Sequence, residues 1–306
     1  MNGSAPPPAL FVHGLEGSSR NWTDLIDLLR GKLDCEALDL PGFGDSPPRP
    51  DGKYSIAALA QTTIALITRR GRGPVHLIAN SLGGAVCVRI AATRPELVRT
   101  LTLISPALPD PRPRLDRLRY PVISAPWIGT RLVRQLRVVP PENRVADVIA
   151  TCYSDPRRFA RERFAAEVAE LIRRDALDWP PAALVGTVRA LTAESLRVGR
   201  ASAWRDAARV TAPALIIYGG HDRVVDARQA GRAARAFGNA RIVVMPSTGH
   251  LAHMEHPGQV AAEIGILLAA AAEQAAAAEQ VAAGEEAAGE GIGVESAGEF
   301  PVASAG

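Results

Sequence analysis

Lysine is almost absent from this chain: Lys32 and Lys53 are two of 35 basic residues, set against 32 acids. Cysteine is scarce too. Cys35, Cys87 and Cys152 are odd in number, scattered and without a CxxC pair. That excludes a disulfide framework and fits a reducing cytoplasm, which is the expected compartment. The opening residues, MNGSAPPPAL, lack a basic start followed by an apolar run, so no secretory signal is expected. No stretch reaches the roughly 18 uninterrupted apolar residues of a membrane span, so no integral membrane segment is expected either. Basic patches interleaved with aromatic residues are missing, as is any known nucleic-acid module, which argues against a nucleic-acid partner.

What is present is an ordinary globular composition. At 306 residues, 47% hydrophobic and 22% charged, the chain can bury a sizeable core as one large domain or two small ones. The net charge of +3 divides unevenly. The tail after Ala269 holds Glu273, Glu279, Glu285, Glu286, Glu290, Glu295 and Glu299 and no base, so +3 is −7 in the tail and +10 in the rest. Between Pro106 and Arg205 stand 18 arginines against 11 acids, or +7. A positive segment of this kind attracts anionic substrates. An arginine and alanine bias across the whole chain, as in a GC-rich coding sequence, explains it more simply.

Short apolar runs rich in β-branched residues read as buried strands at Ala9–His13, Glu36–Leu40, Val75–Asn80, Thr100–Ser105, Ala214–Gly219 and Arg241–Met245. Helical patterns fall between them, at Trp22–Arg30, Ser55–Arg69, Leu82–Thr93, Ala227–Phe237 and Pro257–Ala270. Alternation of this kind predicts an α/β fold, a mostly parallel sheet with helices on both faces. It stops between about Pro106 and Ala212. There, helical runs such as Arg158–Arg173 are broken at Pro126, Pro140–Pro141, Pro156 and Pro180–Pro181. Residues 106–212 are therefore expected to form a helical cap over the carboxyl ends of the strands, where open α/β sheets bind ligands. Residues 1–105 and 213–270 would be the core. In 271–306, rich in Ala, Glu and Gly, a helix extension to about Ala283 and then disorder are expected.

Four strings carry chemistry. In Val75–Val86, VHLIANSLGGAV, an apolar strand ends at Asn80-Ser81 and a helix begins at once with two glycines. A serine on so sharp a turn has its hydroxyl thrust clear of the sheet, at a helix N-terminus whose free N–H groups favour an oxyanion. In Leu10–Gly17, LFVHGLEG, a glycine-bearing turn follows the first strand, and the N–H of Leu15 is the candidate oxyanion donor, with that of Leu82 as the second. In Ile216–Val225, IIYGGHDRVV, Asp222 lies just past a strand end, placed to accept a hydrogen bond from an imidazole; Asp226 is a rival better read as a helix cap. In Met245–Pro257, MPSTGHLAHMEHP, His250 follows a glycine directly after the last strand, while His253 and His256 sit nearer the next helix. The spacing of the three histidines invites a metal reading. Without an HExxH pattern or a nearby cysteine, one base and two bystanders explain it better, and neither metal nor cofactor is expected.

With these strings in the order Ser, Asp, His, the chain resembles the α/β-hydrolase superfamily, in its capped branch of serine esterases, lipases and carbon–carbon bond hydrolases. VHGLEGSSRNW, DLPGFGDSPP, HLIANSLGGAV, YGGHDRVV and STGHLAHMEHP carry the resemblance, which covers residues 9–105 and 213–270. It implies a triad of Ser81, Asp222 and His250, an oxyanion hole of Leu15 and Leu82, and a variable cap. Two features depart from the pattern: Ala79 stands where the motif has glycine, and only about eight residues precede the His-Gly strand where the family commonly has an N-terminal strand pair, so either the sheet lacks those strands or the true start lies upstream. Serine at the elbow speaks against the relatives that use aspartate. Hydrolysis of a carboxylic ester or thioester is the first expectation. Carbon–carbon cleavage of vinylogous diketones, a cofactor-free perhydrolase, or a non-enzymatic ligand sensor with a vestigial triad are the alternatives. Tyr120, Trp127, Tyr153, Trp179 and Trp204 in the cap fit a small apolar acyl or aromatic substrate, or simply hold its helices together.

Overall fold

Parallel pairing throughout is what the strand–helix alternation demands, and the sheet obeys it. The computed structural model describes residues 5–110, 120–125, 128–197 and 202–290, with 120–121 and 282–290 as backbone alone. Six strands form one sheet: β1 (Pro8–Val12), β2 (Asp34–Leu38), β3 (Val75–Asn80), β4 (Val98–Ile104), β5 (Ala214–Gly219) and β6 (Ala240–Met245). Their order is β2-β1-β3-β4-β5-β6, all parallel. From β1 the chain goes outward to β2 and returns to β3 on the other side of β1. The order thus reverses between β1 and β3, and the crevice at such a point is where an open sheet receives ligands. The expected strand limits hold at β3 and β5. β2 starts two residues before its expected Glu36, because Asp34 N–H donates to Pro7 O and pairing with β1 begins there.

Helices α1 (Thr23–Leu29), α2 (Ile56–Arg70) and α3 (Leu82–Thr93) link the first four strands. α2 shows how the sequence sets such an element. The Ser55 side chain accepts from Ala58 N–H at its start, Gly71 ends it at φ +64°, and Ile56, Leu59, Ala60, Thr63 and Ile67 form its buried stripe. Between β4 and β5 the described residues hold α4 (Tyr120–Ser124), α5 (Ile128–Leu136), α6 (Pro141–Cys152), α7 (Arg161–Asp175), α8 (Pro180–Leu196) and α9 (Ala203–Ala207), and no strand. Most of the prolines that punctuate this segment open structure rather than merely break it. Pro141 and Pro180 each sit in the first turn of a helix, where a missing N–H costs nothing. α7 begins three residues after the expected Arg158, because Asp155 caps a separate 3-10 turn at Pro156–Arg158. Pro126 and Trp127 lie outside the described residues, as do the side chain of Tyr120 and residues 291–306.

After β5 come α10 (Ala230–Ala236), α11 (Ala252–Glu255) and α12 (Pro257–Glu290). Two compact units divide the chain at Leu267 and Leu268. α12 runs past Gly284, where disorder was expected; alanine and glutamate are strong helix formers and offset single glycines. Its Pro257–Val281 stretch is by length and composition apolar enough to cross a membrane, at mean hydropathy 1.5 with 17% buried. Acids at Glu263, Glu273 and Glu279 interrupt the run, and its apolarity is mainly alanine, whose methyl group gains little from burial.

Trp204 shows what one tryptophan between β4 and β5 does. It is buried, its Nε1–H donates to Pro109 O at 2.8 Å, and the Arg232 guanidinium lies 4.5 Å from its ring centroid. These contacts stitch α9 to the core, a packing role. Trp204→Ala should therefore cost about 3–5 kcal/mol of stability, read as a lower urea midpoint. A loss under about 1 kcal/mol would contradict the packing role.

Candidate active site

The site grows from a turn made in a single residue. Ser81 joins β3 directly to α3 at φ 51°, ψ −113°, a conformation that costs a non-glycine residue about 1–3 kcal/mol. So abrupt a reversal brings α3 against the end of β1. A Cβ on Gly83 would stand 2.3 Å from Val12 O and 2.6 Å from His13 O, so only glycine fits. Ala79, where the motif has glycine, is fully buried within β3 between Val12 and Leu103, and its methyl is accommodated there. The Ser81 carbonyl accepts from Ala107 N–H at 2.9 Å, and its N–H donates to Ile104 O at 3.0 Å, which fastens the turn to the end of β4.

The loop after β1 faces this turn. Gly17 N–H donates to Gly14 O at 3.2 Å, closing a turn whose central residues are Leu15 and Glu16, with Glu16 at φ 58°. A side chain on Gly14 would come 3.1 Å from Ser81 Cβ and 2.7 Å from Asn80 Oδ1, so the two loops abut. Leu15 N–H is not used in closing its turn, and Leu82 N–H opens α3, where helical N–H groups have no partner within the helix. His13 anchors the arrangement. Its Nε2 accepts from Leu40 N–H at 3.0 Å, which puts the proton on Nδ1, 2.7 Å from Gly14 O. The DLPGFGDS loop braces it further: the Asp39 carboxylate accepts from Ser19 N–H at 2.6 Å and Asp45 N–H at 2.8 Å.

Asp222 and His250 meet from the neighbouring strands. His250 Nδ1 lies 2.8 Å from Asp222 Oδ2, both residues being buried. The other oxygen of Asp222 accepts from Val224 N–H at 2.7 Å and Val225 N–H at 2.8 Å. Burial alone would raise this carboxyl, but His250 and the Val225 N–H outweigh it and hold the pKa below the ordinary range. Gly219 makes the meeting possible. A Cβ there would lie 2.1 Å from Gly249 O and 2.5 Å from Thr248 O, so the histidine loop lies directly on the end of β5. Asp226 caps the next turn by accepting from Arg228 N–H at 3.0 Å. His253 is buried and stacked on Trp22, ring centroids 4.2 Å apart, and His256 Nε2 lies 3.2 Å from Ser247 O. Among the described residues no group of three His, Cys, Asp or Glu side chains is placed to hold a metal ion.

Asn80 links the two halves and was not singled out from sequence. Its Nδ2 lies 3.0 Å from Ile104 O and 3.3 Å from His250 O, so the residue before Ser81 holds the backbone of the histidine. A lone amide closing an otherwise apolar strand was the available signal. Ser105, at φ 46° just past β4, was read only as a strand end, yet it stands beside Asp222.

A sheet whose elbow serine, paired acid and histidine sit at the ends of β3, β5 and β6 has the architecture of a hydrolase. The model of the alpha/beta hydrolase fold family matches residues 7–257, and the chain belongs to that family. It is 25% identical over 263 residues to the dihydrolipoyllysine-residue acetyltransferase component of the acetoin cleaving system of Pseudomonas putida, covering 85% of this chain and only 63% of that protein. It is 27% identical over 256 residues to the pimeloyl-[acyl-carrier protein] methyl ester esterase of Neisseria meningitidis serogroup B, covering 82% of this chain and 89% of that one. Among solved structures it is similar to a haloalkane dehalogenase from Bradyrhizobium elkani, with TM-score 0.70, 25% identity, and 88% and 93% of the two chains covered. Hydrolases of several substrate classes are thus its relatives.

Burial also sets how the fold responds to acid. It holds His13 and His76 down to about 4 and His253 to about 3. In the unfolded chain each would titrate near 6.5, so between about pH 6.5 and 4 unfolding takes up protons and acid favours it. Stability should be full above about pH 6.5 and fall by about 1.4 kcal/mol per pH unit for each histidine below it. Urea unfolding at pH 7.5, 6 and 5 measures the slope. His76→Asn should lessen it, and a pH-independent midpoint would show that these rings are not buried neutral.

Proposed function

We propose that the chain is a serine hydrolase that cleaves a carboxylic ester or thioester through an acyl-enzyme on Ser81. The observation that carries this is the 2.8 Å hydrogen bond between buried His250 and Asp222, on a loop that Asn80 ties to the Ser81 turn. In this reading Ser81 Oγ attacks the substrate carbonyl while His250 Nε2 takes its proton. Ionised Asp222 holds Nδ1–H, which fixes the tautomer and stabilises the imidazolium. The N–H groups of Leu15 and Leu82 receive the oxyanion, commonly the largest single catalytic contribution. His250 then protonates the departing alcohol or thiol. Water, deprotonated by the same nitrogen, attacks the acyl-enzyme and releases the acid.

A small apolar acyl or aromatic substrate fits the aromatic residues between β4 and β5; the cavity beside Glu16 lies next to the loop after β1, and Ser81, Asp222 and His250 are not among its lining residues. Phe43, Val133, Leu171 and Leu184 contribute apolar wall, and Arg137, Arg144 and Arg174 stand at its polar side.

Ser81→Ala should fold and lose turnover by about 10⁴-fold or more, since the three residues act as a unit. The measurement is kcat/KM over p-nitrophenyl esters of graded chain length, beside a coloured ring-fission diketone. A fluorophosphonate should place one adduct, on Ser81 and not on Ser46 or Ser105. Near-normal ester turnover in folded Ser81→Ala would refute the proposal, and turnover of the diketone alone would replace it with carbon–carbon cleavage.

A further inference from the structure

His250 is held from three sides, and one of them is the cap. Its C=O accepts from Asn80 and its ring Nδ1–H donates to Asp222, both core contacts. Its own N–H donates to Cys152 O at 2.6 Å, at the end of α6. The backbone of residues 152–154 lies so close to Gly249 that a Cβ there would stand 2.3 Å from Cys152 O and 2.7 Å from Ser154 N. Apolar contact continues the junction: Val145, Ile149 and Tyr153 of the cap form one buried cluster with Met254, joined by Leu251.

Glu255 sits at the centre of this junction, buried, with no part in the chemistry proposed above. Its carboxylate accepts from Gly249 N–H at 2.7 Å, from Ser154 N–H at 3.1 Å and from Asp155 N–H at 3.1 Å. The Ser154 hydroxyl, with one proton for two acceptors, lies against the Glu255 carboxylate and 2.9 Å from Ser247 O. A carboxylate is costly to bury unless hydrogen bonds replace its water. Here the replacements come from two separate segments, the histidine loop and the cap. Burial raises its pKa, but these donors outweigh it and keep the group ionised well into acid.

We infer that Glu255 is a positioning residue, whose carboxylate clamps cap residues 152–155 onto Gly249 and so fixes where His250 stands. The cap is then part of the catalytic geometry and not only a roof over it. This rests on the reading of His250 as the general base. A base displaced by an ångström costs rate far more than binding, so the effect belongs in kcat.

The test is Glu255→Gln, which keeps the volume but turns an NH₂ toward N–H groups that need an acceptor. With p-nitrophenyl esters, kcat should fall about 10- to 100-fold while KM changes by less than about threefold. The downfield proton resonance of the His250 Nδ1–H to Asp222 bond should shift or broaden in the folded variant. Ser154→Ala removes only the hydroxyl and serves if Glu255→Gln folds poorly; it should lower kcat about 2- to 10-fold with the same split. Unchanged kcat and an unmoved resonance in either folded variant would overturn the inference. So would a loss of activity that merely tracks the unfolded fraction. If the wild-type chain hydrolyses no ester, the proposed function fails, and the resonance of the two variants still decides whether Glu255 positions His250.

Discussion

Everything at the site follows from the need to turn from β3 into α3 within one residue. Ser81 accepts a positive φ there, and α3 is pressed so close to β1 that Gly83 has no room for a side chain. The strain has two consequences. It lifts the serine out of the sheet, and it aims the free N–H groups of a helix start at the space beside it. The loop after β1 has to approach the same space with a glycine of its own, Gly14, because Asn80 and Ser81 already fill the room a side chain would take. The reversal of strand order between β1 and β3 puts those two loops side by side.

The acid and the histidine face the same kind of steric condition. Gly219 and Gly220 leave space for the backbone of Pro246 and of Thr248–Gly249, and Gly249 in turn leaves space for the cap at Cys152–Ser154. Backbone lies on backbone at each step. Such contacts transmit position well, because peptide groups have no rotamers to absorb a displacement. The helices between β4 and β5 also hold the loop after β1, here through side chains: Arg174 Nη1 donates to Glu16 O at 2.8 Å, and Arg20 pairs with the buried Glu170 of α7. Arg173 reaches Asp45 at 2.8 Å in the DLPGFGDS loop. Part of the arginine excess of the middle segment is thus spent on ion pairs and carbonyl contacts between cap and core. The cysteine thiols take no visible part: burial pushes the Cys152 thiol up to about 12 and the Cys35 thiol to about 11, far from the thiolate that reactivity requires.

The parallel α/β sheet and most of its elements were legible because they rest on local patterns. A period of 3.6 in α2 and an unbroken apolar run in β3 or β5 are written in consecutive residues, as are the serine elbow and the glycine before His250. The limits of β2 were less legible, since its register depends on which residue of β1 it meets. The length of α12 depended on how far propensity carries a helix past single glycines, a balance of tenths of a kcal/mol that composition alone misjudged.

What the sequence determined by itself is the identity and order of the groups brought to the sheet ends: Leu15, Ser81 with Leu82, Asp222 and His250. What only the tertiary structure decided is how those groups are held. Asn80 and Glu255 act on residues 170 and 101 positions away, counted to His250 and Ser154. No periodicity or motif links such pairs, because their hydrogen bonds exist only once the sheet order and the seating of the cap have brought distant backbone together. The backbone placement of Cys152 and Ser154 against Gly249 and His250, and not the residue types, is what only the tertiary structure supplied.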